Sequence, residues 1–196
     1  MSQPQASQSP GRGLLIGIIA AIAVCVLASI AFIPRAFRML RQTRTFRMVG
    51  SSMEPTLYED DKIAVDTGYY ADHQIADGDI VVFRHNDKLL VKRVSATAGE
   101  RIAAKNGRLI RNGMVLDEPY LKTPDETPAS TDPTFDEADF GPRLIPPDEV
   151  FVTGDWRSMS LDSRASAYTP IHIRDIIGKV IYIYSSAHPG QQGRRF

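Results

Sequence analysis

The longest run of one polarity is Leu14–Ile33, an apolar stretch of 20 residues with no charge in it. About 20 apolar residues at about 1.5 Å each cross a hydrocarbon core of roughly 30 Å. A cleaved leader has an apolar core of only about 7–15 residues. The pattern therefore predicts a retained transmembrane helix over residues 12–34, behind a Gln/Ser/Pro-rich, disordered tail at 1–11. Beyond the span the pattern changes to short β-branched runs. Lys62–Val65, Asp79–Arg84, Leu89–Val94, Glu149–Thr153 and Ile176–Tyr184 read as strands. His85–Lys88 reads as a hairpin connection, and Asn106-Gly107 and Asn112-Gly113 are type I′ turn pairs between short apolar segments, a meander signature. Residues 117–148 hold seven prolines and many acids, and read as a surface loop or insertion rather than core. Residues 185–196 read as a loose tail. The fold class expected is mainly β behind one transmembrane helix.

Composition narrows the function. Lys+Arg and Asp+Glu both number 23, so the formal net charge is zero and a basic nucleic-acid-binding surface is not indicated. The single cysteine, Cys25, excludes an intrachain disulfide, and the four histidines show no metal-ligand spacing. Charge around the span is uneven. Only Arg12 precedes it, whereas Arg35, Arg38, Arg41, Arg44 and Arg47 follow it in a basic juxtamembrane linker over 35–45 and just beyond. The positive-inside rule alone puts the C-terminal bulk in the cytoplasm.

Three segments carry candidate chemistry. In Gly50-Ser51-Ser52-Met53-Glu54-Pro55, Pro55 disfavours helix at Glu54 and Gly50 permits a tight bend, so a serine is presented between strands; a plain Gly-Ser turn accounts for the same residues. In the strand Leu89–Val94, Lys92 shares its face with Leu90 and Val94, while Arg93 points the other way as an ordinary solvated charge. An apolar setting lowers a lysine pKa, and a neutral amine is a competent general base for a serine hydroxyl. A lysine reaching out to water from an edge strand fits the same pattern. The third segment, Gly154–Arg164, gathers hydroxyls, acids and arginines in one loop, with two local Asp–Arg pairings available.

In this order and behind an apolar span, these segments resemble the type I signal peptidase family of membrane-bound Ser/Lys endopeptidases. Gly50–Leu57 is similar to the family's serine box, Gly78–Phe83 to its Gly-Asp-[Ile/Val]-Val strand, Leu90–Val94 with Ala98–Ile102 to its lysine box, and Gly154–Arg164 to its last box. The resemblance implies that Ser52, not Ser51, is the nucleophile and that Lys92 is the general base. It implies that Ser160 hydrogen-bonds the lysine amine and that Asp162 and Arg164 brace the site. With Gly50 two residues before the nucleophile, the oxyanion donor would be backbone N–H, chiefly that of Ser52. The peptidase domain would span 46–184. Trp156 stands where many members have asparagine, and Ala165–Ile171 replaces the usual pattern after the last arginine. The implied function is removal of signal peptides from exported preproteins at a bacterial cytoplasmic membrane, without a cofactor or metal. The catalytic domain would be extracytoplasmic and residues 1–11 cytoplasmic, against the positive-inside rule. The alternatives are a plasmid-type peptidase that processes or cyclises pilins, a self-cleaving repressor, and a non-enzymatic membrane-tethered β module.

Overall fold

The computed structural model describes residues 16–29, 42–121, 139–165, 168 and 170–196. The chain divides into two compact units, residues 1–42 and 43–196. In the first, residues 16–29 are helical, and their isoleucines, valines and Leu27 are exposed. No helix among the described residues is long and apolar enough to cross a membrane. Residues 14, 15 and 30–33 of the apolar run, all of 1–11 and residues 35–41 lie outside the described residues.

Among its described residues the second unit contains eleven strands: β1 Thr43–Arg47, β2 Lys62–Asp66, β3 Ile80–His85, β4 Lys88–Ala96, β5 Arg101–Lys105, β6 Arg108–Arg111, β7 Met114–Val115, β8 Phe140–Leu144, β9 Glu149–Thr153, β10 Ile171–His172 and β11 Ile176–Ser185. Seven form one sheet in the order β1-β2-β11-β3-β4-β9-β10, and four form another in the order β7-β6-β5-β8. The pairings between these strands are antiparallel. The mainly β class is the one the sequence implies.

The turns follow their residues. His85 pairs with Lys88, leaving Asn86 and Asp87 as a two-residue connection with φ of 46° and 61°. Asn106-Gly107 and Asn112-Gly113 close β5–β6 and β6–β7 in the same way, all four with positive φ. Asn, Asp and Gly tolerate this left-handed backbone, and two such residues in a row match the twist of the flanking strands.

Alternation along β3 explains the layers. Ile80 and Val82 join a cluster with Met48, Met53, Leu57, Ile63, Val65, Val180 and Ile183. Val81 and Phe83 point the other way, into a cluster with Val94, Val150, Val152 and Ile171. The central strands of the large sheet are thus buried on both faces. A third cluster, built on Ile102, Leu109, Ile145 and Phe151, joins side chains of β5 in the small sheet to one of β9 in the large sheet.

Three readings of the sequence need correction. Residues 117–148 are not all surface loop: Phe140–Leu144 is strand β8, paired with β5, and Ile145 is core. The proline in this segment argues against a central strand only; Pro is admissible on an edge strand, and β8 is one. Residues 122–138 of that stretch lie outside the described residues. Residues 185–196 are not loose. The Ile183 N–H donates to Arg194 O, the Phe196 N–H to Ile181 O, and Phe196 packs on the cluster containing Met53. The basic linker read over 35–45 is already strand from Thr43, pairing with β2.

Candidate active site

After β1 the chain turns at Gly50, whose φ of +80° belongs to the region that favours glycine. The following turns are closed by Glu54 N–H to Ser51 O and by Leu57 N–H to Met53 O, both 2.9 Å. Met53 and Leu57 are fully buried. They pin the loop to the core immediately after Ser52, so the hydroxyl is carried by a fixed backbone. The Trp156 N–H donates to Ser52 O at 3.1 Å, tying this loop to the one after β9. The Ser52 N–H makes no hydrogen bond among the described residues.

Lys92 lies in the middle of β4, opposite Val81 of β3. Leu90 and Val94 on its own face belong to one apolar cluster, and Val91 packs with the opposite one. Lys92 is 4% exposed. Its Nζ donates to Ser52 Oγ at 2.6 Å and to Val91 O at 3.2 Å. Burial pushes its pKa down to about 8; the Asp162 and Asp155 carboxylates oppose that fall and the Arg164 guanidinium assists it. With a pKa of about 8, roughly a tenth of this lysine is free amine at pH 7, and its one side-chain partner among the described residues is a serine hydroxyl.

The loop after β9 is organised around Asp162. Its carboxylate accepts from Gly154 N–H at 2.9 Å, Ser160 Oγ–H at 2.7 Å and Arg164 Nε–H at 2.8 Å. Burial works to raise the Asp162 pKa, but the Arg164 charge and these hydrogen bonds hold it below the usual carboxylate range. Arg164 also donates to the carbonyls of Arg157 and Ser160. The structure thus brings Ser52 and Lys92 together directly, and joins Ser160, Asp162 and Arg164 in a second knot. Ser160 does not reach the lysine: its hydroxyl is turned to Asp162. Gly50 contributes the bend ahead of the serine.

Two expectations about arginines are overturned. Arg93 is not a solvated charge. It is 8% exposed, and its Nε and Nη2 donate to the two oxygens of fully buried Asp155 at 2.9 and 2.7 Å. Its Nη1 donates to Gly78 O and its Nη2 to Thr56 Oγ1. Strand alternation turns it away from Lys92, as the sequence implies, but into a second buried face rather than into water. Of the two local Asp–Arg pairings in the last loop, Asp162–Arg164 forms, whereas Asp155 is taken by Arg93 and Arg157 by Glu118. A double-faced core is the signal available for Arg93, since Ile80–Phe83 is apolar at consecutive positions.

Gly154 is the other residue that the sequence underweights. A Cβ there would lie 2.2 Å from Ser160 Oγ and 2.5 Å from Ser52 O. Among the described residues, no group of three or more His, Cys, Asp or Glu side chains could hold a metal ion.

Comparison with known proteins identifies the family. The family described as signal peptidase, peptidase S26, matches residues 15–185. A signal peptidase I of Bacillus caldolyticus is 36% identical over 168 residues, 83% of this chain and 86% of the relative. One from Leptolyngbya laminosa is 30% identical over 195 residues, 92% of this chain and 84% of that one. One from Bacillus amyloliquefaciens is 37% identical over 115 residues, and there the match spans 62% of the relative's length. With the family matched along most of this chain and relatives of this identity aligned over most of their own length, the chain belongs to the signal peptidase family, peptidase S26.

Proposed function

We propose that this chain is a serine endopeptidase that removes signal peptides from exported preproteins, with Ser52 as nucleophile and Lys92 as general base. The observation that carries the reading is the 2.6 Å contact between Lys92 Nζ and Ser52 Oγ, made by a lysine buried in apolar surroundings. The free amine takes the Ser52 proton as Oγ bonds to the scissile carbonyl carbon. Negative charge gathers on the carbonyl oxygen, and the uncommitted Ser52 N–H is the donor available to it. One such donor contributes typically about 2.7–4 kcal/mol. The tetrahedral intermediate collapses, the C–N bond breaks, and the Lys92 ammonium returns its proton to the departing amine. Water then gives a proton to Lys92 as it bonds to the acyl carbon, the ester C–O bond breaks, and Lys92 returns that proton to Ser52 Oγ, regenerating the hydroxyl and the free amine. Asp162 and Arg164 hold the loop that fixes Gly154 and Trp156 against Ser52.

The apolar run Leu14–Ile33 serves as the membrane anchor, with 1–11 cytoplasmic and the β domain on the outer side of a bacterial cytoplasmic membrane. An anchor confines enzyme and emerging cleavage site to one surface, which raises their effective concentration. The reaction requires this orientation in spite of the arginines after the span, because exported substrates are cut after translocation. Protease treatment of intact spheroplasts tests it; a fully shielded β domain overturns the orientation.

Cleavage of a purified preprotein by wild type, Ser52→Ala, Ser51→Ala and Lys92→Ala tests the chemistry. Ser52→Ala and Lys92→Ala should abolish turnover, and Ser51→Ala should retain substantial activity. Equal loss in both serine variants would show that the nucleophile is misassigned.

A further inference from the structure

Outside the Ser52–Lys92 pair, a second set of buried charged side chains converges on the loop after β9. Glu118 and Arg157 form an ion pair with side chains 5% and 10% exposed. The Tyr120 hydroxyl donates to Glu118 Oε1 at 2.9 Å. The Tyr120 ring lies under the Arg93 guanidinium, 4.0 Å from its carbon. Arg157 Nε in turn donates to Gly154 O at 3.0 Å. These contacts close a circuit. Arg93 neighbours Lys92 and grips Asp155; Arg157 grips Gly154; Gly154 lies against Ser52 O, and Trp156 donates to it.

The four partners come from three remote stretches of sequence, and none touches the reacting atoms. A buried ion pair is weak as a source of net stability, but leaving one partner alone is costly, so each fixes the other's place. A guanidinium stacked on an aromatic ring is held in orientation as well as position. Tyr120 stays a neutral phenol, because burial and the Glu118 carboxylate push its pKa up. The ring therefore keeps the same form across the working pH range.

We propose that Glu118 and Tyr120 are positioning residues for the peptidase reaction: through Arg157 and Arg93 they clamp Gly154–Trp156 against Ser52 and hold Asp155 in place beside Lys92. This rests on the reading of Ser52 and Lys92 as the catalytic pair. It gives the segment before residue 122 a task that its acidic, proline-rich composition conceals.

The test compares wild type with Glu118→Gln, Tyr120→Leu and Tyr120→Phe, using the full chain and a preprotein. Thermal unfolding checks that each variant is folded. Glu118→Gln and Tyr120→Leu should lower kcat about tenfold with KM within about twofold, the scale of a small misplacement at a reacting centre. Tyr120→Phe keeps the ring over Arg93 and should stay within about twofold of wild type in kcat. Independently of turnover, the pH dependence of Lys92 acetylation, read by mass spectrometry, reports its protonation. Asp162, Asp155 and Arg164 are the charges that act on Lys92, and the Tyr120 variants change none of them. A rise of the Lys92 midpoint by about half a unit or more in Tyr120→Leu, absent in Tyr120→Phe, therefore reports Arg93 loosening its hold on the Asp155 carboxylate. Unchanged kcat and an unmoved midpoint in folded Glu118→Gln and Tyr120→Leu overturn the clamp. A wild type that leaves preproteins uncut overturns the functional reading instead, and the Lys92 midpoint still decides the clamp.

Discussion

The carbonyl oxygen of Ser52 lies 2.5 Å from the point where a side chain on Gly154 would begin. Ser160 Oγ lies closer still, at 2.2 Å. Both distances are well inside van der Waals contact, and Ser52 O is backbone, which cannot swing aside. Gly154→Ala should therefore push the loop after β9 off the serine loop. The expected result is a fall in kcat of about a hundredfold, the scale of a 1 Å misplacement, in a protein that still folds. Kinetics with circular dichroism checks it; normal kcat in the Gly154→Ala enzyme would mean that the two loops slide without cost.

In the proposed mechanism Lys92 acts as a base, and it can do so only when neutral. With its pKa pushed down to about 8, the rate should fall about tenfold for each pH unit below that value and level off above it. Lys92→Arg keeps the charge but cannot shed its proton usefully, so it should be inactive at every pH. A pH–rate profile of both proteins checks this. Activity in Lys92→Arg would reduce the lysine to a fixed charge and remove the Ser/Lys mechanism.

The same burial makes Lys92 a burden on the fold. Its pKa is lower in the native state than in the unfolded chain, so between about 8 and 10.5 the unfolded chain binds more protons. Stability should rise with pH across that window, and the destabilisation is fully present below it. Lys92→Met should remove that dependence and be more stable near pH 7, by up to about 3 kcal/mol. Urea unfolding on either side of that window checks the sign.

Arg93→Lys should not be benign. A single ammonium cannot reproduce the paired bonds to Asp155 together with those to Gly78 O and Thr56. Arg93→Met leaves a fully buried carboxylate without its cation, a loss of about 3–5 kcal/mol by comparison with other broken buried pairs. Denaturant midpoints should fall in the order wild type, Arg93→Lys, Arg93→Met.

What can be read from the sequence is local. Asn86-Asp87, Asn106-Gly107 and Asn112-Gly113 announce their turns because left-handed backbone is easy for those residues and strained for others. Lys92 is conspicuous because its strand neighbours are aliphatic. Arg93 is misleading because its partner lies 62 positions away and only the folded sheet shows that both faces of β4 are covered. Glu118 and Arg157, 39 positions apart, are hidden for the same reason, with Glu118 inside a stretch whose composition favours loops. Strands β1 and β10 carry little alternation; β1 is polar except for Phe46, and β10 is held by two residue pairs to β9. The order in the tail is hidden because Phe196 is one apolar residue among glycines and polar ones, and its packing depends on a surface built by Met53 and its neighbours.

Strand β11, the last to be synthesised of those in the large sheet, sits between β2 and β3 in the middle of it. Its Val180 and Ile183 form part of the floor on which Met53 and Leu57 rest. On a ribosome, Ser52 and Lys92 are therefore both made long before the serine loop has anything to lie on. Contacts so distant along the chain close late in folding. A half-translated chain thus carries Ser52 and Lys92 without the floor on which the serine loop rests, and in the proposed mechanism the proteolytic centre is complete only once β11 has joined the sheet.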